Sequence, residues 1–132
     1  MVNFNSLDEA REFFKEDKFA ANTGIQLDKL DETSCQCSLK LNDNHKNAIG
    51  GVMGGVMFTL ADFSFAILSN HLHMPTVAQQ VSVNYLSAPK GTKLIANAVC
   101  KKNGRTSSII NVDISDDTGR DIVQFIGVGF KL

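Results

Sequence analysis

The chain has 132 residues, 43% of them hydrophobic, enough to fill one core and too few for two independent ones. Thirteen basic residues against fourteen acidic leave a net charge of -1, so no basic excess is available to neutralise a phosphate backbone and nucleic acid is not an expected partner. Cys35, Cys37 and Cys100, without a CxxC spacing, exclude a disulfide framework and point to packing in a reducing compartment.

The N-terminal MVNFNSLDEA has no basic segment followed by an apolar one, so no secretory signal is expected there. The most apolar stretch, Val52 to Leu68, is broken by Thr59, Asp62 and Ser64 and falls short of the ~20 apolar residues of a membrane span. The expectation is a cytoplasmic chain with no membrane partner, folded as one domain over residues 1–132.

In chain order, Ser6 followed three residues later by Glu9 is a capping-box pattern. Leu7, Ala10, Phe13 and Phe14 add an apolar stripe, which predicts a surface helix over Ser6 to Asp17. Cys35, Cys37, Leu39 and Leu41 then alternate with Ser34, Gln36, Ser38 and Lys40, the period of a half-buried strand. Ile25 to Leu30 is its expected hairpin partner. After the polar, turn-prone NDNHKNAIGG comes VMFTLADFSFAILSN, apolar on nearly every side, and a helix of that kind is a buried one. Strands are predicted over Thr76 to Leu86, Thr92 to Lys102, Thr106 to Ser115 and Arg120 to Phe130. Asn103-Gly104 and Asp117-Thr118-Gly119 supply the turn chemistry of tight hairpins. The class is α+β, with four consecutive antiparallel strands after the buried helix. To hide a helix apolar all round, the sheet must curl about it, and any apolar face left over must meet another copy of the chain.

Asp62 lies in the most apolar helix, where an unpaired buried charge costs several kcal/mol. One reading is a wet edge or an Arg or Lys partner. The other comes from Gly50, Gly51, Gly54 and Gly55 just upstream, since glycines opening a helix let a ligand approach free N–H donors at the positive end of the dipole. With the helix starting near Gly54, Asp62 is about 12 Å further along at 1.5 Å per residue, too far to act on the same atom. A two-fold dimer with antiparallel helices would set Asp62 of one chain against Gly54 of the other, giving two sites with a carboxylate and an anion-stabilising pole. Asp62 should titrate above the usual value of about 3.9 in such surroundings.

Asn47, Gly50-Gly51-Val52-Met53-Gly54-Gly55, Leu60-Ala61-Asp62 and Val83-Asn84-Tyr85-Leu86 together resemble the phenylacetate-pathway type of hotdog-fold acyl-CoA thioesterase, over nearly the whole chain. The resemblance implies a curved antiparallel sheet wrapped around a long central helix. It implies Asp62 as catalytic carboxylate, Gly54 N–H as oxyanion donor and Asn47 as the group orienting water or the acyl carbonyl. It further implies substrate contacts from Met53, Gly55, Phe58, Gln80 and Tyr85, and coenzyme A contacts from Arg105 and Thr106 in the Gly104-Arg105-Thr106 turn. Acyl-CoA is then the substrate, with no separate cofactor and no metal, and the assembly is a homodimer or a homotetramer formed by face-to-face pairing of dimers.

Two departures stand out. Met53 occupies the place where the family has His, and a thioether neither donates a hydrogen bond nor shuttles a proton. Ala78 stands where many relatives carry a hydroxyl, with Gln79 and Gln80 as neighbouring substitutes. The alternative to hydrolysis is therefore a non-catalytic acyl-CoA-binding hotdog protein, and a hydratase or dehydratase ranks behind both. His45, His71 and His73 match no zinc spacing, and His71 and His73 with Asn70 read as a solvated helix cap. No GxSxG elbow, P-loop or GxGxxG is present.

Overall fold

The computed structural model describes residues 2–132. Ser6 caps the first helix, α1 (Leu7–Phe14), accepting from the N–H of Glu9, while Glu9 reaches back to the N–H of Asn5. The helix is shorter than the predicted Ser6 to Asp17 and is followed by a second, α2 (Lys18–Thr23). Gly24 ends α2 at φ +100°, a conformation that favours glycine. Strands β1 (Gln26–Leu30) and β2 (Ser34–Lys40) form the expected antiparallel hairpin. Cys35 and Cys37, two apart on β2, are buried free thiols.

A 3₁₀ turn, Asp43–His45, leads to the central helix α3 (Gly54–Leu72). Four strands follow: β3 (Thr76–Tyr85), β4 (Lys93–Asn103), β5 (Ser107–Asp116) and β6 (Asp121–Lys131). They are not a simple meander. The six-stranded antiparallel sheet has the order β1-β2-β4-β5-β6-β3, so β3 crosses to the far edge, pairs with β6, and leaves β4 to β2. The residues between β3 and β4 include Pro89 and span the crossing, where a tight turn would have forced β3 against β4.

The sheet curls around α3, which packs on β2, β3, β4, β5 and β6 as its all-round apolarity demands. Leu60, Phe65, Ile67 and Leu68 of α3 are essentially removed from water, as are Leu94, Ile110, Val112, Ile122 and Phe125 of the sheet. Gly127 makes the close approach feasible. A Cβ there would lie 2.6 Å from Phe65 Cδ1, so only hydrogen fits between β6 and the ring.

The end of α3 differs from the solvated cap expected of it. His71 is buried, stacked on Phe4 with 5.7 Å between ring centres, and its Nδ1 accepts the N–H of Phe4. Burial pushes its pKa down. The ring therefore fastens the N-terminal segment to α3.

Candidate functional site

The loop before α3 is built around two polar side chains. His45 is buried; its Nδ1 accepts from Asn42 N–H, its Nε2 pairs with the Thr23 carbonyl at 2.8 Å, and its own carbonyl accepts from Met53 N–H. With Nδ1 acting as acceptor, Nε2 carries the proton toward Thr23. The imidazole thus ties α2 to the loop, and the backbone of the same residue ties the loop to the start of α3. Asn47 Oδ1 accepts from the N–H groups of Ile49 and Gly51, and Gly50 takes φ +86° to complete the turn.

Met53 ends this loop in an extended conformation and caps α3 without a side-chain hydrogen bond. The first carbonyl bonds run from Val56 and Met57 back to Met53, so the N–H groups of Gly54 and Gly55 have no backbone acceptor among the described residues. They sit at the positive end of a 19-residue helix dipole. Tyr85 comes up from the end of β3, its ring 3.6 Å from where a Gly54 Cβ would stand and its hydroxyl donating to Gly54 O at 3.3 Å. Ile49, Met53, Tyr85 and Leu86 are all exposed around this pole.

Asp62 lies just over two turns further along α3. It is partly buried and makes no ion pair among the described residues. Its carboxylate lines a cavity of about 240 Å³ that Asp17, Lys18, Phe19 and Ala20 of the α2 segment share with Thr59, Phe63 and Ala66 of α3. Burial raises its pKa above the usual carboxylate value and the neighbouring charge of Asp17 raises it further, the direction expected from the sequence. Such a carboxylate holds a proton more readily than a surface one, which suits proton transfer.

The structure gathers Asn47, Met53, Gly54, Gly55 and Tyr85 at the helix start. It does not bring the other expected residues there. Phe58 turns inward, edge-on to Phe125 at 5.8 Å, and is taken up by core packing. Gln80 lies on the outer face of β3, bonded to Ser82 Oγ and paired with Val128, while Val81 and Val83 carry the face toward α3. It therefore stands apart from the groups gathered at Gly54. Arg105 and Thr106 occupy the β4–β5 turn beside Lys131, at the end of the sheet where α3 finishes and opposite Gly54. Asp17 and Phe19 escaped the sequence reading, because only the packing of α2 brings them beside Asp62, and His45, weighed there only as a metal ligand, serves instead as a support of the loop.

Sheet, helix and loop together define a hotdog fold with a polar site along its central helix. The chain belongs to the thioesterase superfamily, whose family model matches residues 49–123. It is similar to human acyl-coenzyme A thioesterase 13, at 33% identity over 92 residues covering 67% of this chain and 66%, just under two thirds, of that one. Acyl-coenzyme A thioesterase PaaI of Escherichia coli is 23% identical over 124 residues, covering 93% of this chain and 89% of the relative. The solved E. coli PaaI structure superposes with a TM-score of 0.88 at 21% identity, over 95% of this chain and 91% of that one. A hypothetical thioesterase of Streptococcus pneumoniae TIGR4, solved with coenzyme A, gives a TM-score of 0.82 at 27% identity, over 89% and 94%. No helix among the described residues is long and apolar enough to cross a membrane.

Proposed function

We propose that the protein hydrolyses an acyl-CoA thioester to the free acid and coenzyme A. The observation that carries this reading is the pair of free N–H donors at Gly54 and Gly55 on the same helix as a partly buried Asp62, whose pKa burial raises. The names of the thioesterase relatives and the coenzyme A of the S. pneumoniae structure support the substrate class.

Water attacks the thioester carbon while Asp62 takes its proton, and the carbonyl oxygen becomes an oxyanion held by the N–H of Gly54 of the partner subunit. The intermediate then collapses, the C–S bond breaks, and the departing sulfur receives the proton from Asp62. Direct attack by Asp62, giving a mixed anhydride that water opens, uses the same groups. Asn47 can offer only its amide nitrogen to water or carbonyl, since Oδ1 is committed to the loop. Arg105 anchors a coenzyme A phosphate electrostatically. Met53 contributes bulk and no proton, so the backbone donors carry the stabilisation. Coenzyme A enters as part of the substrate and no cofactor is needed.

A homodimer closes the site. The edge strand β3 has one unpaired side, and α3 runs antiparallel to it, with Tyr85 at Gly54 and Thr76 bonded to Asn70. For Asp62 to meet the partner's Gly54, the two-fold axis must cross α3 midway, about 6 Å from Gly54. At ~3.3 Å per residue that point falls near Val83, so β3 would pair with its copy about Val83, placing Ser82 opposite the partner's Asn84. The apolar Val99, Ile126 and Phe130, exposed on the outer sheet face, support pairing of such dimers into a tetramer. The free thiols fit the reducing cytoplasm.

The test is release of free coenzyme A from a panel of acyl-CoAs by wild type and Asp62→Asn. The expected result is turnover lost in a variant that stays dimeric. No release by a folded wild type would favour the acyl-CoA-binding reading, and full rate in the variant would remove Asp62 from the mechanism.

A further inference from the structure

The cavity beside Asp62 is walled on one side by residues that lie outside the segment matched by the family. Asp17, Lys18, Phe19 and Ala20 come from the α2 segment; Thr59, Phe63 and Ala66 face them from α3. Its floor is apolar and fixed: Ala20 is buried, and Phe63 is held edge-on by Phe14 at 6.0 Å. Its charged groups are Asp62 on one helix and Asp17 and Lys18 on the other. At about 240 Å³ it exceeds the ~150 Å³ of an apolar cavity known to hold benzene.

Phe19 is the odd member of this wall. It is 75% exposed, the most exposed phenylalanine in the core-adjacent segment, although its neighbour Ala20 is almost fully buried. An aromatic ring so exposed beside a partly buried carboxylate is a surface open to an apolar partner. The wall is also held in place. Gly24 ends α2 in the left-handed conformation, and the Thr23 carbonyl is bonded to His45, which supports the loop carrying Asn47 and Met53. The acyl pocket and the oxyanion pole therefore share one anchor.

We infer that Phe19 is a specificity-determining residue, its ring closing over the acyl group of a substrate held at Asp62 so that α2 sets how large an acyl group the site prefers. This rests on the acyl-CoA reading above. An acyl group longer than acetyl reaches past the carbonyl into the space between Phe19 and Phe63, and burial of that added surface is what the ring rewards.

The experiment compares wild type, Phe19→Ala and Phe19→Leu in the full chain. The readouts are kcat/KM for acetyl-, hexanoyl- and benzoyl-CoA, calorimetric affinity for the thioether S-hexyl-CoA and for free coenzyme A, and size by light scattering. Phe19→Ala should lower the hexanoyl-to-acetyl and benzoyl-to-acetyl ratios of kcat/KM at least fivefold, weaken S-hexyl-CoA relative to coenzyme A by a similar factor, and leave the size unchanged. Phe19→Leu should restore most of the hexanoyl ratio. Equal effects across the panel, or none, would overturn the role of Phe19 while leaving hydrolysis standing. A change in size would overturn it by making Phe19 a subunit contact. S-hexyl-CoA binding that depends on Phe19 in a protein that hydrolyses nothing would uphold the pocket and overturn hydrolysis; no binding and no hydrolysis would overturn both.

Discussion

Replacing Gly127 by Ala isolates how tightly the sheet grips the helix that carries Asp62. The added methyl would stand 2.6 Å from Phe65 Cδ1, 2.7 Å from Cε1 and 3.1 Å from Phe125 Cε1. Both rings are at most 2% exposed, so neither can swing away into solvent, and overpacking of this kind costs about 1–3 kcal/mol. Against that, alanine restricts the unfolded chain and returns about 0.4–1 kcal/mol, because Gly127 is not in the left-handed region. Packing wins. With ~2.1 cal/mol/K of unfolding entropy per residue, 132 residues give about 0.28 kcal/mol/K, so the net loss at the middle of these ranges, ~1.3 kcal/mol, lowers Tm by about 5 °C. Thermal melts of wild type, Gly127→Ala, Phe65→Leu and the double variant complete the test. The smaller Leu should make the Gly127 change less harmful, giving a coupling of about 0.5 kcal/mol or more. A Gly127→Ala melt at or above wild type, or strict additivity in the double variant, would refute the reasoning.

Asp17→Asn removes the negative charge that helps raise Asp62, so the acid limb of the kcat/KM profile should move to lower pH; an unmoved or upward-shifted limb would remove Asp17 as its cause. Asp116 is buried and accepts bonds from the Thr118 hydroxyl and from the N–H groups of Lys90, Gly91, Thr118 and Arg120, and these hold its pKa well below the usual carboxylate range. A depressed folded pKa stabilises above the unfolded value and is lost as pH falls below it, so denaturant midpoints of wild type should approach those of Asp116→Ala from about pH 4 downward. A pH-independent gap would contradict this. In the proposed dimer, Ser82→Glu with Asn84→Glu would set like charges opposite each other across the axis and should weaken it, whereas Ser82→Glu with Asn84→Lys should preserve it. Equal dissociation of both by sedimentation would exclude pairing about Val83.

The central helix could be read from sequence because an apolar run of that length admits few alternatives, and the hairpin turns could be read from Asn103-Gly104 and Asp117-Thr118-Gly119. The helix α2 could not: it is six residues long, its Asp17 cap makes no side-chain bond, and tertiary packing holds it in place. Nor could the pairing of β3 with β6, because partner choice depends on how the connection crosses the curved sheet and leaves no local trace. At the site, Gly54 and Met53 were legible as glycine-rich helix entry, and Tyr85 through its motif. The face of β3 that Gln80 occupies follows from alternation alone: it lies five residues from Tyr85, an odd number, so the two point to opposite faces. Phe58 carried no mark separating a core ring from a pocket ring.

The eight-residue step along the helix from Gly54 to Asp62 makes a lone chain half a reagent under the proposed mechanism. It can polarise a carbonyl or move a proton, but not both at one atom. Catalysis then becomes second order in protein once the dimer is diluted, and the rate per chain falls with concentration while each fold stays intact. Abundance itself acts as the switch, and no ligand or covalent modification is required to turn the activity off.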